Sequence, residues 1–210
     1  MQRKADIVER HKPAKCFCDV VDGQDRLRHF ARSIPVAQDG ARRYAFRMPY
    51  TPITATLGYV IDGQGNVLLI HRNKREDDQA LGKMNGLGGK VDAGEDIAAC
   101  MVRELHEEAG IAVTGMTLRG TVSWPGFGKN GEDWLGFIFI INAYSGSVLG
   151  GNAEGDLLWK PIDELVNGTL PLWPGDRYFL PLVFDDDPRP FHGVMPYENG
   201  SAISWSYSRF

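Results

Sequence analysis

Gly89-Lys90-Val91-Asp92-Ala93-Gly94-Glu95-Asp96-Ile97-Ala98-Ala99-Cys100-Met101-Val102-Arg103-Glu104-Leu105-His106-Glu107-Glu108-Ala109-Gly110-Ile111 is the stretch on which the fold turns. Apolar residues recur at helical spacing from Asp96 to Ala109, and Gly110 stands where a left-handed residue stops a helix. Helical residues advance by about 100° each, so Glu104, Glu107 and Glu108 share an arc of roughly 100°. Ala98, Met101, Val102, Leu105 and Ala109 fall on the adjoining arc and are expected to pack inward. The acidic face is unfavourable by itself. Like charges at i,i+3 and i,i+4 repel by roughly 0.2–0.5 kcal/mol per pair, and each acid in a last turn opposes the helix dipole by about 0.3–1 kcal/mol. The plain reading is a solvated acidic surface. Against it, the acids are not interleaved with Lys, and a Gly-rich run over residues 82–94 leads straight into the helix. Clustered carboxylates become favourable around a hard divalent cation. Mg²⁺ takes oxygen ligands and shares its coordination with substrate phosphates. A local rule broken without visible compensation marks a functional site.

Working outward, residues 54–61 read as a buried strand, Asp62-Gly63-Gln64-Gly65-Asn66 as a turn, and residues 67–71 as the second strand of a hairpin. A charged loop, residues 72–79, precedes the Gly-rich run. Strands are predicted at 116–124 and 134–143, joined by the loop Pro125–Gly131, with a short helix starting at 161–166 and another over 178–184. Strands and helices mixed along one chain predict an α/β sandwich around a mixed β-sheet. Residues 49–210 form the expected catalytic domain, and residues 1–48 an N-terminal extension in which Arg42–Arg47 reads as a short strand.

Composition sets the outer bounds. No apolar run approaches the ~20 residues of a membrane-spanning helix, so no membrane partner is expected. Charged residues at the N-terminus argue against a secretory signal. Three cysteines cannot make a disulfide framework, which points to a reducing, cytoplasmic setting. Net charge of −4 gives no global attraction to nucleic acid, and none is expected as a partner. The charge is uneven. Residues 1–48 carry 11 Lys/Arg against 6 Asp/Glu, and the remainder 12 against 21. The extension is left with three roles open: capping a sheet edge, forming a homodimer or covering the pocket. His11, Cys16, Cys18 and His29 are soft zinc-ligand types, although Cys16 and Cys18 lack the commoner Cys-x-x-Cys spacing. Cys100 is expected to be inert packing.

Residues 89–111 resemble a Nudix box, whose pattern is Gly, five residues, Glu, seven residues, then Arg-Glu-apolar-x-Glu-Glu-x-Gly-apolar; every defined position is matched. The resemblance implies a loop–helix–loop in a Nudix α/β/α sandwich. It implies that Glu104, Glu107 and Glu108 hold Mg²⁺, with Mn²⁺ as a substitute, and activate water for attack on phosphorus. Either Glu104 or Glu108 serves as base in an alternative assignment. Arg103 would orient the carboxylates, Gly94 and Glu95 would fix the loop and the start of the helix, and Gly89 would turn its carbonyl to the metal.

Two further pieces resemble the MutT-like branch that hydrolyses oxidised purine nucleoside triphosphates such as 8-oxo-dGTP. Gly82–Lys90 is similar to its Gly-[Arg/Lys]-Trp-Asn-Gly-[Phe/Leu]-Gly-Gly-Lys, with Met84 in place of Trp. This implies that Asn85 reads a base edge and that Lys90 contributes to substrate binding. Leu172–Pro181, followed by Phe191-His192-Gly193, is similar to that branch's Trp-Pro-Asp-Asp stretch and Phe-His-Gly. Trp173 would stack on the base and Asp176 would hydrogen-bond it. Gly175 stands where the first of two acids is expected. Glu154, ahead of Trp159, matches a further carboxylate that reaches the metal site, with Asp156 as a competitor. The resemblance spans about residues 52–205 and concentrates in these motifs. It implies hydrolysis of a nucleoside triphosphate to the monophosphate and pyrophosphate. The alternatives are hydrolysis of ADP-ribose or a dinucleotide, with the 125–131 loop shaping the pocket, and a non-catalytic nucleotide sensor or RNA-binding module, which the intact acidic triad disfavours.

Overall fold

β1 (Ile53–Ile61) and β2 (Asn66–Arg72) are joined by the turn that Asp62-Gly63-Gln64-Gly65 predicts. The Asp62 carboxylate accepts from the backbone N–H groups of Gln64 and Asn66 at 2.7 and 3.0 Å. The computed structural model describes residues 50–210. The strand expected at Arg42–Arg47 and the soft-ligand set His11, Cys16, Cys18 and His29 lie outside the described residues.

The hairpin opens almost at once. Only Val60 and Ile61 of β1 pair with Leu68 and Val67 of β2. Along its whole length β2 runs antiparallel to β6 (Gly155–Pro161) and, at Ile70 and His71, also to β3 (Met84–Asn85). β1 instead follows β5 (Trp134–Ser145) in parallel from Ile53 to Val60. The sheet continues through β4 (Ala112–Trp124), antiparallel to β5, then β7 (Phe191–Val194), parallel to β4, and ends at β10 (Ser206–Arg209). A separate small hairpin pairs β8 (Tyr197–Glu198) with β9 (Ser201–Ala202). The result is the mixed sheet the sequence predicts.

Alternation along the central strands sends apolar side chains to both faces. Val60, Leu68, Ile70, Phe139 and Ile141 meet Met101, Leu105 and Ala109 of α1 (Ile97–Ala109) on one side. Tyr59, Val67, Leu69 and Ile138 meet Leu165 of α2 (Ile162–Val166) and Phe179, Leu180 and Val183 of α3 (Asp176–Val183) on the other. Two apolar layers, one per sheet face, make the sandwich.

Helix α1 carries both of its stop signals. Asp96 caps the N-terminus by accepting from the N–H groups of Ala98 and Ala99, and Gly110 closes the C-terminus at φ 72°, ψ 14°. One expectation about its inner face needs correction. Val102 is 38% exposed, while Cys100 is fully buried, in keeping with its expected packing role. Cys100 Sγ lies 3.4 Å from Thr56 Oγ1 of β1 and 3.5 Å from the Lys90 carbonyl in the glycine run. Strands β4 and β5 also extend past their predicted bounds of 116–124 and 134–143. Register shifts between Val113 and Gly115 and between Leu118 and Gly120 break the alternation that sequence reading relies on. Helix α3 begins two residues before the predicted Tyr178, since backbone bonds Asp176 N→Trp173 O and Tyr178 N→Gly175 O already wind the chain there.

Leu105 is fully buried where α1 meets the sheet. Leu105→Ala is expected to lower unfolding free energy by about 2–5 kcal/mol, read as a shift in the urea midpoint at constant m-value.

Candidate active site

The site grows from the place where β1 and β2 part. The glycine run lies along the freed edge of β1: Leu87 N–H donates to Gly58 O at 3.0 Å, Thr56 N–H to Gly89 O at 2.8 Å, and Val91 N–H to Thr54 O at 3.0 Å. Gly88 sits at φ 142°, and a Cβ there would strike the Thr56 carbonyl, so both conformation and space demand glycine. A Cβ on Gly89 would overlap the Glu104 carboxylate. The loop and the acidic helix are therefore in direct contact.

Arg103 organises one side of that helix. Its Nε and Nη2 donate to Glu95 Oε1 and Oε2 at 2.9 and 3.0 Å, a two-pronged pair, while Nη1 donates to Glu104 Oε1 at 2.8 Å and more weakly to Glu107 Oε2 at 3.4 Å. Nη2 also reaches the Lys90 carbonyl at 3.2 Å. The guanidinium holds the Glu95 carboxyl down to about 2. Glu95 further accepts from Asp92 N–H at 3.1 Å, fixing the loop that leads into the helix.

Glu108 lives in a different environment. It accepts from Gly88 N–H at 2.9 Å. Burial pushes its carboxyl up to about 7, against the Gly88 bond, and the charges of Glu104 and Glu154 push the same way. Glu154 lies just before β6 and is gripped by Arg72 Nη1, with Arg75 Nη1 at 3.6 Å. Its competitor Asp156 is bound instead by Asn73 and Lys74, at 2.8 and 3.0 Å. Glu107 points outward and is more than half exposed.

Among the described residues, no three His, Cys, Asp or Glu side chains stand close enough together to enclose an ion. Arg103 pairs with Glu95 and Glu104, and Arg72 pairs with Glu154, so these acids each meet a guanidinium. The donor chemistry nevertheless suits a hard cation. The groups are all oxygen, and the mutual charge that raises Glu108 is what a divalent ion relieves. The Gly89 carbonyl accepts from Thr56 N–H at 2.8 Å, with Cys100 Sγ 3.9 Å away.

Across Thr56 from the acids lies a cavity of about 200 Å³, bounded by Asn85, Gly86, Trp124, Phe127, Trp134, Trp173, Asp176 and Tyr197, among others. It is smaller than the ~300–1,000 Å³ of a typical whole-ligand pocket, which fits one planar ring system with the rest of a ligand outside. Asn85, Trp173 and Asp176, far apart in sequence, all line it. Two of its residues carry buried polar atoms that have no partner among the described residues: the Asn85 Oδ1 acceptor and the Trp134 Nε1 donor. An unmatched buried polar atom costs about 1–3 kcal/mol unless something supplies its bond. Burial raises the Asp176 carboxyl to about 7, against a hydrogen bond from the Trp173 backbone and the charge of Lys83. Lys83 Nζ stands 5.0 Å over the Trp173 ring, and Lys90 Nζ 5.4 Å over Trp134 at the cavity's rim.

Several lining residues escaped the sequence reading. Phe127 comes from the loop after β4 and packs against Trp173 and Tyr197 at 5.9 and 5.0 Å between ring centroids. Trp124, Trp134 and Tyr197 belong to strands whose relation to the motifs is set by sheet order alone. One signal was present: Gly175, a glycine in an otherwise bulky stretch, implies that another group fills its space.

The NUDIX domain family matches residues 51–183, more than half of the chain. The chain belongs to this family. It is 32% identical over 130 residues to the mouse oxidized purine nucleoside triphosphate hydrolase, covering 60% of this chain and 77% of that protein. It is 28% identical over 142 residues to the Nudix hydrolase YvcI of Bacillus subtilis, covering 66% and 83%. A crystal structure of a MutT protein from Bacillus halodurans superposes with a TM-score of 0.62 at 30% identity, covering 74% of this chain and 97% of that one. The protein is a Nudix pyrophosphohydrolase acting on nucleotide derivatives. Among the described residues, no helix is long and apolar enough to cross a membrane.

Asp176 supplies a test of the pocket's electrostatics. Its carboxyl titrates at 3.8 when free and at about 7 when folded. Protonation therefore stabilises the fold fully below the free value, and that stability is lost as pH rises through about 7. Urea midpoints of the wild type are expected to fall over this window relative to those of Asp176→Asn. Parallel curves would refute the assignment.

Proposed function

We propose that this enzyme hydrolyses a purine nucleoside triphosphate, with 8-oxo-dGTP as the leading candidate, to the monophosphate and pyrophosphate. The observation that carries the reading is the aromatic cavity, whose lining brings Asn85, Trp134, Trp173 and the half-buried Asp176 around space for one planar base. Similarity to the mouse oxidized purine nucleoside triphosphate hydrolase supports the same substrate class.

In this reading Trp173 stacks on the base, while Asn85 and Asp176 bond its polar edge. Asp176, titrating near neutrality, serves as donor when protonated and acceptor when ionised. Lys83 and Lys90, each over a rim tryptophan, bring positive charge toward the phosphates. Glu104, Glu107, Glu108 and Glu154, with the Gly89 carbonyl, are the groups that would hold Mg²⁺ or Mn²⁺. The bound ion would supply Lewis acidity toward the phosphoryl oxygens and the attacking water. Glu108, with its raised carboxyl, is the residue best suited to take the water's proton near neutral pH. Arg103 keeps Glu104 oriented, and the glycine run sets the distance between base pocket and acids.

The second reading, hydrolysis of ADP-ribose or a dinucleotide, draws on a further cavity of about 350 Å³ beyond Phe127, lined by Gln79, Lys129, Trp173 and Tyr197 among others, with room for a second ring system. A panel of 8-oxo-dGTP, dGTP, ATP, ADP-ribose and a dinucleoside polyphosphate, assayed with Mg²⁺ and with products identified, separates the two. The expected outcome is highest kcat/KM on 8-oxo-dGTP, releasing pyrophosphate. Equal turnover of dGTP, or none of the oxidised form, removes the sanitation role. Glu107→Gln and Glu108→Gln are each expected to cut kcat by about 10²-fold or more with the melting temperature retained.

A further inference from the structure

We infer that the Tyr197 hydroxyl, seated in space that Gly175 leaves open, is a specificity-determining group of the base pocket, acting beside Asp176 on the polar edge of a purine-type ring. The inference deepens the reading of the cavity as a base site and rests on it.

Gly175 is the first observation. Its backbone, at φ −68° and ψ −28°, is ordinary right-handed helix that any residue adopts, so conformation gives no reason for glycine. Space does. A Cβ at this position would overlap the Tyr197 hydroxyl and stand 2.6 Å from Met195 Sδ. Position 175 immediately precedes Asp176, so the phenol oxygen occupies the place where a side chain neighbouring that acid would otherwise sit.

Tyr197 is also held firmly in place. Its backbone N–H donates to Pro125 O at 2.7 Å, and its ring lies edge-on to Phe127 at 5.0 Å. The loop after β4 thus clamps both the backbone and the ring, and β8 brings Tyr197 into the cavity lining, with its hydroxyl against Gly175. Yet among the described residues the hydroxyl's only partner is Met195 Sδ at 3.5 Å, a weak acceptor. A phenol pinned at both ends and poorly matched at its polar tip is arranged for a partner the protein does not itself provide.

The chemistry differs from that of a second carboxylate. Burial and the neighbouring Asp176 charge hold the phenol protonated, pushed up to about 12. It therefore offers one donor and two acceptor sites without adding charge beside Asp176. Two adjacent carboxylates would repel and share protons. A carboxyl beside a neutral hydroxyl presents a donor–acceptor pair at neutral pH, complementary to a ring edge that carries both an N–H and a carbonyl. Asn85 and Trp134 line the same cavity.

The test is binding by the full chain without metal, so that turnover does not enter. Guanosine, 8-oxo-deoxyguanosine and adenosine monophosphates are titrated against tryptophan fluorescence and by calorimetry, for wild type and Tyr197→Phe. The variant keeps the ring packed on Phe127 and removes one oxygen. Its affinity for the preferred purine is expected to fall about 5- to 30-fold, the equivalent of one to two hydrogen bonds. Weakly bound bases should change little, so that the affinity ratio between them collapses while the melting temperature stays put. Gly175→Ala should lower the same ratio in the wild type and lower it less in the Tyr197→Phe background, where the overlapping oxygen is gone. Unchanged affinities and ratios in Tyr197→Phe overturn the inference and leave the base pocket standing. A wild-type protein that binds none of the monophosphates overturns the pocket reading itself.

Discussion

Backbone pairing of the glycine run with the freed edge of β1 is the constraint on which the rest of the site depends. Because β2 leaves β1 after two residue pairs, the N–H and C=O groups of Thr54, Thr56 and Gly58 need new partners, and buried backbone groups are seldom left without them. Leu87, Gly89 and Val91 provide them. That pairing works only if the run is thin, which is why a Cβ at Gly88 meets the Thr56 carbonyl and one at Gly89 meets Glu104. The same few residues then reach both halves of the site. Asn85 and Gly86 wall the aromatic cavity, and three residues on, Gly88 donates to Glu108.

Environment divides carboxylates of one chemical kind into distinct roles. Glu95, gripped by both prongs of Arg103, is held at about 2 and stays ionised as a structural anchor. Glu108 and Asp176 are each raised to about 7, mainly by burial, the first among acids and the second among aromatic rings. A carboxyl whose charge is barely tolerated at neutral pH can accept or give a proton in that range. The two raised groups stand at opposite ends of the glycine run, one suited to handling a proton and the other to reading a ring. Arg103 and Arg72 compensate the remaining acids, pairing with Glu104 and Glu154.

The aromatic cavity is assembled from segments that share no local signal. Trp124 and Trp134 sit opposite each other across β4 and β5, Phe127 projects from the loop between them, and Trp173 and Tyr197 arrive from the other end of the chain. Large rings supply area at low entropy cost and can be walled together without polar atoms to satisfy. The exceptions, Trp134 Nε1 and Asn85 Oδ1, are therefore informative. Gly175 belongs to the same economy of space, vacant of side chain where the Tyr197 hydroxyl needs to be.

What the sequence determined alone was local. The bounds of α1, its stop at Gly110, the common face of Glu104, Glu107 and Glu108, and the turn after β1 follow from spacing and from residues with fixed conformational habits. These are short-range effects, and the helical period writes them directly into residue order. Tertiary structure decided that Val102 lies exposed on a face the helical period turns inward, because exposure depends on what the fold packs against the helix. It decided which guanidinium each acid meets, since ion pairs form with whichever charge the fold brings near. It also decided that Tyr197 meets Gly175 and that Phe127 closes the cavity. Those contacts depend on sheet order and strand register, which no pattern within a single segment encodes.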